Sequence, residues 1–178
     1  MNKKYFIIDE TVYYTVFKNP FGLTGLAASQ RGLIRLANKI PNEKIFESIL
    51  VKEYGFQIKR NPNYFDILIK QFQNYFKGQL KSFRFPLDLR LGTPFQQKVW
   101  KYLIKIPKGS VRTYKQVAIG INRPNSARAV ANACGKNPYS PKVPCHRVIR
   151  SDGTIGGFSA PGGTKTKKKL LKKEGYLL

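Results

Sequence analysis

The chain has 178 residues, room for one large domain or two small ones, and its 42% hydrophobic and 13% aromatic content supplies a packed core, which excludes wholesale disorder. Its formal charge of +24 is uneven: residues 1–90 carry 15 Lys and Arg against 7 acids, and residues 91–178 carry 18 against 2. Two cysteines make no disulfide framework, no apolar run approaches the roughly 18 residues of a membrane span, and "MNKKYFIIDE" is too short in apolar residues for a signal peptide, so an intracellular, cytoplasmic (in a eukaryote, nuclear) setting is expected.

The first half predicts a small α/β unit, residues 1–88. "YFIID" (5–9) and "VYYTVF" (12–17) are short β-rich runs, and "LTGLAAS" and "GLIRLAN" flank "QRG" as a hairpin. "NEKIFESILVKEYG" (42–55) places Ile45, Ile49 and Tyr54 at helical spacing, with Gly55 as its stop. "NYFDILIKQFQNYFKG" (63–78) does the same with Phe65, Leu68, Ile69, Phe72 and Phe76, and ends on Gly78. No residue constellation here suggests chemistry, so the half reads as a scaffold. "FRFPLDLRLGTP" (83–94), with two prolines and a glycine before its last residues, reads as a linker near the charge shift.

A second, mainly helical domain is predicted over 89–178. Thr93 with Gln96 forms a capping-box pattern before "PFQQKVWKYLIKI", and Pro94 suits the first helical position. Phe95, Val99, Leu103 and Ile106 then form an apolar stripe beside Trp100. Thr113 and Gln116 repeat the capping pattern before "YKQVAIG", and Asn125 or Ser126 can cap "SARAVANACG", which Gly135 ends. Two short helices joined by a turn with Gly120 and Pro124 read as a helix-turn-helix. The second is nearly all small residues around one long cation, Arg128: it suits close approach to a nucleic-acid groove, or tight burial against a neighbouring helix. The basic field favours a polyanion through counterion release; an anionic membrane, or a lysine surface with no partner, stays open on charge alone. "TKTKKKLLKKEG" closes the chain as a lysine-rich amphipathic helix.

Chemistry concentrates in "VPCHRVIRSDG" (143–153), where the single histidine follows one of the two cysteines. Cys134, on the alanine-rich helix, reads as a core residue. Cys145 lies beside His146 in a stretch with Arg147 and Arg150, and positive surroundings lower a thiol's pKa. His146 can take the thiol proton directly or through water; neighbours in an extended chain point apart, which favours the water. One His and two Cys cannot supply a four-ligand metal set, and a papain-like site needs a distant His that this chain lacks. On residue types, a reactive and a structural Cys145 both remain open.

The residues "PCHRV" (144–148), "GKNP" (135–138) and "SARAVANA" (126–133), with "GTPFQQKVWKYLIKIPKGSVRTYKQVA" upstream and "LLKKEG" downstream, resemble the O6-alkylguanine-DNA alkyltransferases. The resemblance covers residues 92–175 and, more weakly, "YFKGQL" and "PLDL" before them. It implies a ribonuclease-H-like N-terminal α/β domain and a monomer without a cofactor. That monomer would move the alkyl group from O6 of guanine, and from O4-alkylthymine, to its own Cys145, once per molecule, in double-stranded DNA. His146 would take the thiol proton through water, and Glu174 would orient it. Tyr114 would donate to guanine N3, and Asn137 would tie the recognition helix to the active-site loop. DNA would meet Ser126, Ala127, Arg128, Ala129 and Ala131, with Thr113, Tyr114, Lys115 and Gln116 from the preceding helix. Binding would be in the minor groove, with Arg128 filling the space left by a flipped nucleotide. Phe95, Arg147, Val148, Phe158, Ser159 and Lys167 would form the substrate pocket.

The sequence departs from the family in three places. "YSPK" (139–142) replaces an apolar loop and suggests a more polar or open wall. Phe158 stands where tyrosine is common, and "GFSAPGGTKTK" is about two residues longer, so the place of Lys167 depends on where that insertion falls. The zinc-binding residues of some relatives are missing. Two rivals are a binder that senses alkylated guanine without repairing it and a DNA-binding regulator switched by cysteine modification.

Overall fold

The computed structural model describes residues 10–19, 22–53, 55, 57–80 and 83–176. The run at 5–9 and Tyr54 lie outside them. Two compact units divide between Leu91 and Gly92.

In the first unit, β1 (Thr11–Asn19), β2 (Gly22–Ser29) and β3 (Gly32–Asn38) form an antiparallel meander, and β4 (Gln57–Arg60) joins β1 in parallel, giving the order β3-β2-β1-β4. Strand β1 shows why both faces of the sheet are covered. Val12, Tyr14 and Val16 point one way, into a core with Phe46 and Leu50; Tyr13 and Phe17 point the other way, against Tyr64 and Phe72. Helix α1 (Glu43–Ser48) supplies Phe46, and α2 (Asp66–Phe76) supplies Phe72. Full burial of each ring stabilises the fold by about 1.5–3 kcal/mol.

Helix α1 corrects the expected helix over 42–55. Asn42 caps it, but the chain passes into a π-helical turn at Ile49–Glu53. Phe46 and Leu50, four residues apart, face inward, and Ile45 is 45% exposed. The expected linker at 83–94 is likewise tied down. Leu33 N–H donates to the Pro86 carbonyl, Asp88 N–H to the Leu33 carbonyl, and Ser29 Oγ to Asp88 at 2.7 Å. Gly32 permits this: its φ is +137°, and a Cβ there would lie 2.6 Å from the Pro86 oxygen.

The second unit comprises α3 (Pro94–Leu103), β5 (Arg112–Thr113), α4 (Tyr114–Gly120), α5 (Ala127–Gly135), β6 (Val148–Ile149) and α6 (Gly163–Lys173). Both capping boxes form as expected, with Thr93 and Gln96 opening α3 and Thr113 and Gln116 opening α4. Helix α3 ends at Leu103, short of the expected Ile106, although Ile106 stays buried. Trp100 Nε1 donates to the Ala133 carbonyl at 2.9 Å and joins α3 to α5.

Helices α4 and α5 form the helix-turn-helix, with two local corrections. Gly120 belongs to α4, where a Cβ would come within 2.2 Å of the Tyr102 ring; Asn122, at φ 59°, takes the left-handed turn position instead. Ser126 occupies the N-cap of α5 without a side-chain cap bond.

Candidate active site

A two-residue parallel ladder organises the site. Arg112 pairs with Val148 and Thr113 with Ile149, which sets the first residue of α4, Tyr114, beside Arg150. The 3-10 turn Cys145–Arg147 leads directly into β6 and turns Cys145 and His146 into the interior, at 5% and 0% exposure.

Asn137 fastens this turn to the end of α5. Its backbone N–H donates to the Cys134 carbonyl, and its Nδ2 donates to the Val143 carbonyl at 2.8 Å and to Cys145 Sγ at 3.2 Å. Ser140 also hydrogen-bonds Cys145. Burial nevertheless raises the Cys145 thiol above its ordinary pKa, and the opposing bonds from Asn137 and Ser140 and the Lys167 charge do not overcome it. This corrects the expectation of a thiol lowered by its sequence neighbours. Arg147 is committed elsewhere, so the resting sulfur is a thiol that needs a base.

The end of α6 completes a second buried cluster beside this turn. Glu174 Oε1 lies 3.0 Å from His146 Nε2, and Arg147 donates to both Glu174 oxygens, from Nε at 2.7 Å and Nη2 at 2.8 Å. Burial pushes Glu174 up, but the bonds from His146 and Arg147 outweigh it and hold the carboxylate at about 2. Burial lowers His146 in turn, more than Glu174 raises it, so the ring is neutral. Arg147 therefore balances the Glu174 charge. Because an ionised carboxylate only accepts, His146 carries its proton on Nε2 and has a lone pair on Nδ1. Nδ1 is buried and has no hydrogen-bond partner among the described residues.

Cys145 faces a cavity of about 390 Å³. Its walls are Tyr114 at the start of α4, Ala131, Asn132, Cys134 and Gly135 along one face of α5, Arg150, and the loop residues Gly157, Phe158 and Ser159. Burial, with Cys134 and Cys145 nearby, raises the Tyr114 phenol to about 12, so it remains a proton donor at neutral pH. Among the expected pocket residues, Phe158 and Ser159 line the cavity, whereas Phe95, Arg147, Val148 and Lys167 do not. Phe95 sits half-buried in the first turn of α3. Arg147 spans Glu174 and the Ile106 carbonyl, and the Val148 carbonyl accepts from Lys167 Nζ at 2.5 Å. Lys167 is wholly buried, and desolvation lowers its amine to about 8.

Of the more polar or more open wall expected at 139–142, the openness is not found, whereas polar Ser140 reaches Cys145. Tyr139 is fully buried edge-on to Trp100, with ring centroids 5.4 Å apart, and Pro141 is buried too. Cys134 is buried as expected but also forms part of the cavity wall. Its spacing from Ala131 and Gly135, three and one residues away, puts all three on one helix face, a signal present in the sequence. Arg150 was likewise readable only as local charge.

On α5, Val130, Ala133 and Cys134 face inward, while Arg128 and Ala129 are exposed and Ser126, Ala127 and Ala131 half-buried. Lys115 and Gln116 are exposed on α4, with Thr113 half-buried at its cap. The helix is therefore buried on one face only, and the other face carries the cation.

A helix-turn-helix, a buried thiol facing a cavity and, next to it in the chain, a histidine held by a carboxylate define a class: DNA-binding folds with a cysteine at their site. Residues 12–89 match the family model "6-O-methylguanine DNA methyltransferase, ribonuclease-like domain", and residues 94–176 match "6-O-methylguanine DNA methyltransferase, DNA binding domain". The chain is 38% identical over 166 residues to the "Methylated-DNA--protein-cysteine methyltransferase" of Methanosarcina barkeri, covering 92% of this chain and 97% of that one. It is 46% identical over 114 residues to the protein of the same name from Mycobacterium bovis, covering 64% of this chain and 67% of the relative. The crystal structure of Mycobacterium tuberculosis OGT in complex with DNA superposes with a TM-score of 0.76 at 36% identity, covering 91% of this chain and 92% of that one. The protein belongs to the 6-O-methylguanine DNA methyltransferase family.

Proposed function

We propose that this protein repairs double-stranded DNA by transferring the alkyl group from O6 of guanine to Cys145 Sγ, irreversibly and once per molecule. The observation that carries the proposal is the buried Cys145 thiol at a cavity lined by Tyr114, in a unit where Glu174 holds His146 by Nε2 and burial keeps the ring neutral.

His146 Nδ1 takes the thiol proton through a water. The thiolate attacks the alkyl carbon, forming an S–C bond as the C–O6 bond breaks. The electron pair leaves on the guanine, and Tyr114 O–H hydrogen-bonds N3 to stabilise that anion. Soft sulfur suits an sp³ carbon, and the thioether has no hydrolytic route back. O4-alkylthymine offers the same alkyl carbon on an exocyclic oxygen and reacts likewise.

The target oxygen lies inside the duplex, so the nucleotide is flipped into the cavity at a cost of a few kcal/mol. The exposed face of α5 enters the minor groove, and Arg128 fills the vacated place in the stack. Small side chains at Ala127, Ala129 and Ala131 permit close approach, and Thr113, Lys115 and Gln116 lie at the start of the preceding helix, α4. Attraction to phosphate comes from the basic unit and is independent of sequence.

Titration with excess duplex containing O6-methylguanine tests the proposal: transfer stops at one methyl group per protein molecule. Continued turnover, or binding without transfer, would overturn it. Arg128→Ala is expected to slow reaction in duplex DNA while sparing reaction with free O6-benzylguanine; equal losses would contradict the finger role.

A further inference from the structure

Arg150 is a cavity residue that the proton relay and the recognition helix leave unused. It is exposed, and among the described residues its guanidinium makes no hydrogen bond or ion pair, whereas Arg147 three residues earlier is fully occupied by Glu174 and the Ile106 carbonyl. Its backbone is held by a tight turn: Arg150 N–H donates to the Thr154 carbonyl and Gly153 N–H to the Arg150 carbonyl. The acid in that turn, Asp152, is engaged by the backbone N–H and hydroxyl of Thr154, at 2.9 and 2.7 Å. The ladder between Thr113 and Ile149 fixes the next residues, Tyr114 and Arg150, side by side. A methyl group built on Gly156 would touch both, lying 3.2 Å from Tyr114 Oη and 3.4 Å from Arg150 Cγ.

This placement gives the cavity a direction. The alkyl carbon must reach about 3–3.5 Å from Cys145 Sγ, at the buried end. Guanine N3 adjoins the ring carbon next to the glycosidic nitrogen, so a base held through N3 by Tyr114 has its sugar on the Tyr114 side, opposite O6. A cation beside Tyr114 and open to solvent then meets the sugar-phosphate, not the adduct. We infer that Arg150 is a positioning residue that clamps a phosphate flanking the flipped nucleotide and so holds the alkyl carbon at the sulfur. The inference rests on the transfer reading above. Arg suits the role because its planar fork donates to two phosphate oxygens at once.

Single-turnover transfer from duplex DNA tests it, comparing the wild type with Arg150→Ala, Arg150→Lys and Lys70→Ala, the last removing an exposed charge in the first unit. Arg150→Ala is expected to slow transfer about tenfold, as loss of a charged hydrogen bond does, with partial rescue by Arg150→Lys and none of the loss in Lys70→Ala. Duplexes with a methylphosphonate on either side of the lesion separate a phosphate clamp from a structural effect. One neutralised phosphate should slow the wild type about tenfold and leave Arg150→Ala unchanged. Equal slowing of both proteins, or an Arg150→Ala rate matching the wild type, would overturn the clamp. A wild type that transfers no methyl at all would instead overturn the function itself.

Discussion

Each unit buries a carboxylate on an arginine, and the two differ in what they leave unsatisfied. In the first unit, Asp88 accepts from Ser29 and from Arg90 Nε and Nη2, and Arg90 also reaches Glu10. In the second, Glu174 accepts from Arg147 and His146, and the ring's far nitrogen is buried without a partner among the described residues. Burial raises both acids, and hydrogen bonds return both below their ordinary values. The closed cluster fastens a loop; the open one keeps a buried lone pair on the residue next to Cys145. Burial and charge pairing alone therefore do not mark a proton acceptor, whereas a neutral ring with a bare nitrogen offers one.

Removing His146 should separate the clusters most sharply. His146→Ala is expected to lower the single-turnover transfer rate about 10²–10⁴-fold, the usual worth of a positioned base, and leave duplex affinity intact. A fall smaller than threefold would remove His146 from the relay. Glu174→Ala should cost about 3 kcal/mol in denaturant unfolding, because Arg147, partly buried, keeps only the Ile106 carbonyl as partner, and it should slow transfer as well. Asp88→Ala should cost less, about 1–3 kcal/mol, since Arg90 keeps Glu10 as partner, and folded protein should transfer at the wild-type rate. A slowed Asp88→Ala would erase the distinction.

Acid sharpens the same contrast. A carboxylate held at about 2, against an ordinary 4.5, contributes stability that is complete above the higher value and is lost as the pH falls toward the lower. The stability gap between wild type and Glu174→Gln should therefore close between about pH 4.5 and about pH 2. The transfer rate should rise through a pKa below the ordinary 6.5 of histidine and stay flat above it, because only neutral His146 accepts a proton. A rise centred above 6.5 would contradict that state. The smallest effect is local: Thr113→Ala should cost about 1 kcal/mol by opening the cap of α4, measured by thermal unfolding.

The parts legible in the sequence are those set by near neighbours. Both capping boxes, the hairpin and the helix-turn-helix follow from residues within a turn of one another, and the Cys145–His146 pair marked the site. Pairings across distance were not readable from residue types. Arg147 looked like a cation that would lower the thiol, but Glu174, 27 positions away, claims it. Over 42–55 the inward residues are Phe46 and Leu50, an i, i+4 pair offset by one from Ile45 and Ile49, and only the packing against the sheet decides between the two stripes. Gly120 looked like a turn residue because the ring of Tyr102, from another helix, is invisible to local rules. Whether "YSPK" makes a more polar or a more open wall is not decided locally, because nothing near it reveals the Trp100 ring that covers Tyr139.

The central claim is that Cys145 is consumed as the acceptor, and peptide mass spectrometry tests it most directly. After reaction with duplex containing O6-methylguanine, the Cys145 peptide should gain one methyl group, the Cys134 peptide none, and Cys145→Ala protein none anywhere. An unmodified Cys145 after complete reaction with excess substrate would contradict the account.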